Sequence, residues 1–175
     1  MAPTSLRVDD VVEPAGTEGA PYFGWFVNDP DANEIQTAYQ ILIATSSSNL
    51  DANIADAWDS GEVFSHTQNH VVYAGTPLTA DTEYFWKVRT WDKDGNVGAF
   101  SANASFVVGL LANNDWSGAS WVERNTSISD DYTYYRKSVV LSAKTVQRAT
   151  VYVTGVHKYA LYVNGTLVGK GPRCV

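Results

Sequence analysis

The chain has 175 residues, 45% hydrophobic and 13% aromatic with a single Met, enough apolar material for a rigid core and too much for wholesale disorder. Its net charge of −7, with no clustered run of Lys and Arg, argues against a nucleic-acid surface. Cys174 is the only cysteine, so neither an internal disulfide nor a cysteine-based zinc site can form, and no apolar run approaches the ~18 residues of a membrane span.

The opening MAPTSLRVDD lacks the apolar stretch of a secretory signal. Together with the missing disulfide, this tilts the expected setting towards the cytoplasm. Strand-like runs rich in β-branched and aromatic residues then recur between clusters of Gly, Pro, Asn and Asp, over 5–9, 22–27, 37–45, 61–64, 70–73, 82–91 and 105–108. This pattern predicts an all-β chain in which residues 1–108 form one sandwich. The one expected helix, a turn or two within 48–58, has Leu50, Ile54 and Ala57 on its apolar face and Asp51 near its start. Trp25 is expected between the sheets. In 84–89 the alternation puts Tyr84, Trp86 and Val88 on the core face and Lys87 and Arg89 on the other. Upstream, Leu78 and a turn precede Tyr84 at a spacing similar to the corner of a fibronectin type III sandwich.

Asp92-Lys93-Asp94-Gly95-Asn96 resembles the opening of a calcium loop, but the twelfth position is Asn103, where such a loop needs a bidentate Glu. A hairpin turn is the simpler reading. Residues 109–131 mix turn formers with Leu110, Leu111, Trp116 and Trp121, a tether expected to be pinned by burial of those side chains. Beyond it, 132–175 is strand-like again over 134–141, 148–155 and 159–168. Asn164-Gly165 predicts a two-residue hairpin turn that pairs Val163 with Thr166 and Leu161 with Val168. Both faces of that hairpin are apolar and need cover, and so few strands make at most half of a sandwich. Residues 132–175 are therefore expected to be the opening of a second, truncated β-sandwich.

Several stretches together resemble the amino-terminal region of α-L-rhamnosidases, family 78 of the glycoside hydrolases. They are Gln36-Thr37-Ala38-Tyr39-Gln40-Ile41, Trp58-Asp59-Ser60-Gly61, 78–92, Gly109-Leu110-Leu111 with Asp115-Trp116, Tyr152-Val153-Thr154-Gly155, 159–165 and Gly171-Pro172. The resemblance implies a fibronectin-type-III-like or immunoglobulin-like module followed by a jelly-roll, galactose-binding-like domain. A helical barrel then performs inverting hydrolysis of terminal α-L-rhamnosides. It also implies that both catalytic carboxyl groups lie in that barrel, the expected partner of this region within the same polypeptide. No residue here matches them, so no catalytic, cofactor-binding or metal-binding residue is assigned. Arg173-Cys174-Val175 departs from the family's pattern after Gly171-Pro172.

Other features have plainer readings. Asp56 with Asp59, Asp92 with Asp94, and Asp130 with Asp131 are paired carboxylates in predicted turns, where solvent keeps both members ionised. His66 and His70 lack a third ligand nearby. Trp116, Trp121, Tyr132, Tyr134 and Tyr135 suit packing between domains better than a sugar-stacking platform. The glycosylation triplets at Asn103, Asn125 and Asn164 are common by chance. The expected function is the non-catalytic accessory region of a rhamnosidase-like enzyme, with a stand-alone carbohydrate-binding module as the alternative and rhamnose-containing glycosides as the small-molecule partner. A repeat-built adhesion protein fits poorly, because the two halves do not repeat each other.

Overall fold

Alternation along the longest strand, β7 (Glu83–Trp91), fixes the inside of the first domain, because Tyr84, Trp86 and Val88 are all buried on one side of it. The computed structural model describes residues 2–27, 35–125, 132–141, 143, 145–146 and 148–171. They fall into two compact units, Met1–Val122 and Glu123–Val175.

In the first unit, β1 (Thr4–Val8), β2 (Tyr22–Phe26) and β6 (Val71–Val72) make one sheet in the order β1-β2-β6. The other sheet runs β4 (Trp58–Asp59), β3 (Ala38–Ala44), β7, β8 (Ala104–Val107), with β5 (Val63–Phe64) also on β3. Every ladder is antiparallel. Between the sheets Phe23 lies 4.8 Å from Trp86 and 5.8 Å from Phe106, and Tyr84 stacks on Phe106 at 5.7 Å. The seven predicted strands are all present, and the result is the expected immunoglobulin-like sandwich.

The corner before β7 also forms as its spacing predicts. Leu78 is buried, and the Thr79 backbone N–H donates to the Tyr84 hydroxyl at 3.1 Å. Trp25 is buried between the sheets, packed edge-on against Tyr39. Its indole N–H donates to Oε1 of Gln36 at 3.0 Å, while Nε2 of that buried amide donates to the Ser65 and Thr67 carbonyls at 3.0 and 2.9 Å.

The helix has the expected length of a turn or two, but it ends before Ile54 and Ala57. α1 covers only Ser47–Asp51, opened by Ser46, whose hydroxyl accepts from the Asn49 N–H, and closed by Asn53 in a left-handed conformation at φ 57°. Asp51 therefore ends the helix, Ile54 points to solvent, and Trp58 belongs to β4. The ladder accounts for the last change, since Trp58 sits opposite Ile43.

The far side of β7 is covered as well. α1 lays Leu50 over Leu42, Ala44, Phe85 and Phe100, and Lys87 is buried with Nζ donating to the Leu50 carbonyl at 2.6 Å. Arg89 lies between the rings of Phe100 and Trp91, 4.7 and 5.1 Å away, and donates from Nε to Gln40 at 2.8 Å. At the end of β8, residues 14–17 run alongside the outgoing chain. The Thr17 N–H donates to Val107, Val107 N–H to Pro14 and Gly109 N–H to Thr17, each at 2.9 Å, and Thr17 and Val108 form a parallel bridge.

The second unit holds a hairpin, β9 (Tyr159–Val163) and β10 (Thr166–Gly171), turning on Asn164 and Gly165 at φ 50° and 83°. Positive φ at both positions is the type I′ geometry that Asn-Gly supplies. Val163 pairs with Thr166 as predicted, but Leu161 faces Gly169 and not Val168. A bulge between Leu167 and Gly169 shifts the register by one residue. The expected strands over 134–141 and 148–155 carry no ladder among the described residues, and Tyr134 and Val140 are almost fully exposed. A β-prone run with no neighbour to pair with has nothing to hold its backbone extended.

Replacing Gln36 with the similarly sized Met strands the Trp25 N–H and the Ser65 and Thr67 carbonyls in a buried site. A loss of about 2–4 kcal/mol is expected in urea unfolding followed by Trp fluorescence, with an unchanged denaturant slope. A change under ~0.5 kcal/mol would show that the network holds nothing together.

Candidate functional site

Two carboxyl groups poised for acid and base work need environments that drive their pKa values apart. Asp56 accepts from the backbone N–H and hydroxyl of Thr45 at 2.8 and 2.6 Å and from the Asn49 amide at 3.1 Å. Burial pushes its carboxyl up, but those hydrogen bonds outweigh it and hold the group below its ordinary value of 3.8. Asp59 accepts from Gln40 at 2.7 Å and from the Gly61 N–H at 2.8 Å. Each carboxylate thus ties its own stretch of chain to β3.

The Asp92 turn is built the same way. Its Oδ1 takes the N–H groups of Asp94 and Asn96 at 2.9 and 2.8 Å, and its Oδ2 takes the Asn96 amide at 2.9 Å. The side-chain bond from Asn96, then its backbone bond, hold the Asp92 carboxyl below the ordinary range. The Asp94 carboxylate meets the exposed Lys93 ammonium at 3.1 Å. Both Asp92 oxygens are therefore occupied by the loop itself, and Trp91 and Val97 bridge across its base. Asp130 and Asp131 lie outside the described residues, as do Arg173, Cys174 and Val175.

The two histidines face different partners. Nδ1 of His66 bonds the Gln36 carbonyl, and His70 packs edge-on to Tyr22 with its Nε2 3.5 Å from Asp10. Among the described residues no group of three His, Cys, Asp or Glu is placed to hold a metal ion. The Asn103 amide donates to Asp51 at 2.7 Å, and Asn164 is the hairpin turn.

The aromatic set divides between the units. Trp116 is half-buried and closes a single 3-10 turn over Asn113–Trp116, whose entry is fixed by Asp115, because its Oδ2 accepts from the Leu111 and Ala112 N–H groups at 2.8 Å each. Trp121 is 72% exposed, and in the second unit Tyr132, Tyr134 and Tyr135 are exposed too, where packing was expected to cover them. Sequence reasoning missed the structural parts of Gln36, Lys87 and Asp115. A polar residue beside an aromatic-rich strand, and an Asp four residues after Leu111, were the available signals.

A family model described as the Rha78A-like, N-terminal immunoglobulin domain matches residues 3–112. An α-L-rhamnosidase of Formosa agariphila is 32% identical over 95% of this chain and 20% of its own length. An α-L-rhamnosidase of Streptomyces avermitilis is 32% identical over 95% of this chain and 18% of its own. The chain thus spans about a fifth of the length of these curated relatives. Among solved structures, the α-L-rhamnosidase from Dictyoglumus thermophilum aligns with a TM-score of 0.64 at 35% identity, covering 66% of this chain and 13% of that one. The Streptomyces avermitilis α-L-rhamnosidase complexed with L-rhamnose aligns with 0.63 at 38% identity, covering 66% and 11%.

Because the folded Asp56 carboxyl lies below 3.8, the unfolded chain binds its proton first as pH falls. Its contribution to stability is full above the unfolded value and is lost as pH drops through the folded one. Asp56→Asn should lower the urea midpoint at about pH 6 and lose less than the wild type on going to about pH 3. Equal losses in the two proteins would contradict the assignment.

Proposed function

The chain belongs to the family of Rha78A-like N-terminal immunoglobulin domains, and from that premise we propose that it is the non-catalytic amino-terminal accessory region of an α-L-rhamnosidase-like glycoside hydrolase. The observation that carries this reading is the pair of coverages: relatives named as α-L-rhamnosidases align over 95% of this chain while it spans only a fifth of them. Residues 1–108 are the sandwich, 109–131 the tether and 132–175 the first part of a second sandwich of jelly-roll type. The chemistry, inverting hydrolysis of terminal α-L-rhamnosides, falls to a catalytic barrel elsewhere in the same polypeptide, and inversion there needs two carboxyl groups about 6.5–9.5 Å apart.

The bonding of the carboxylates supports this division. Asp56 accepts from Thr45 and Asn49, Asp59 from Gln40 and Gly61, and Asp92 from Asp94 and Asn96, so each carboxylate has a structural use in bracing its stretch of chain. The exposed Trp121, Tyr132, Tyr134 and Tyr135 favour a second reading, a carbohydrate-binding module in its own right.

The purified chain should give no turnover of an aryl α-L-rhamnoside, and measured turnover would defeat the accessory reading. Calorimetric titration with L-rhamnose separates the two readings. An unresponsive titration leaves the accessory role, whereas saturable binding abolished by Trp116→Ala moves the function to the module.

A further inference from the structure

We draw no further inference here: the strongest candidate, the apolar row that Phe64, Ala38 and Trp91 form across β5, β3 and β7 on the outward face of the larger sheet, with Phe64 83% exposed, is an unpartnered sheet face, and nothing in the structure shows what covers it.

Discussion

The buried amide of Gln36 is bonded by three groups from separate stretches of chain: the Trp25 indole on β2, the Ser65 carbonyl after β5 and the Thr67 carbonyl before β6. Its position just ahead of β3 places it where the two sheets come together. A buried amide left unpaired costs more than a made bond returns, so the gain lies in having all three partners present at once. The network therefore works as a registration device. If β3 slid by one residue, Gln36 would miss the indole, and every side chain of that strand would exchange the core for the other face.

A second constraint follows from β7. Because α1 and Phe100 cover its outer side, residues that alternation assigns to water are enclosed, and Lys87 has to find an acceptor inside. It finds the Leu50 carbonyl near the end of α1, which also accepts from the Asn53 N–H at 3.0 Å. Burial lowers the Lys87 pKa and the nearby Asp51 charge partly restores it, so the ammonium and the short helix hold each other in place. The stack of Phe100, Arg89 and Trp91 continues the same cover along the strand.

The sandwich was readable because its signals are local: period-two burial in β7 and the Leu78–Tyr84 corner each arise within a few neighbouring residues, as does the Asn-Gly turn of the second unit's hairpin. What escaped reading depends on partners far along the chain. Nothing near Gln36 announces Trp25 as its acceptor's donor, and nothing near Lys87 announces α1. The hairpin register failed for a subtler reason, since a bulge adds one residue without altering the apolar alternation seen on either side of it. Asp59 and Asp92 were legible as turn formers because Gly61, and Gly95 with Asn96, follow them within a few residues.

The parallel bridge between Thr17 and Val108 bears on how the first domain meets a pull. Tension applied at the start of the chain and at its exit past Gly109 draws the two adjoining segments along each other in opposite senses. The Thr17, Val107 and Gly109 hydrogen bonds then share the load in shear, instead of opening singly like a zipper. The first domain in this way resists being drawn open at the junction where the chain leaves it.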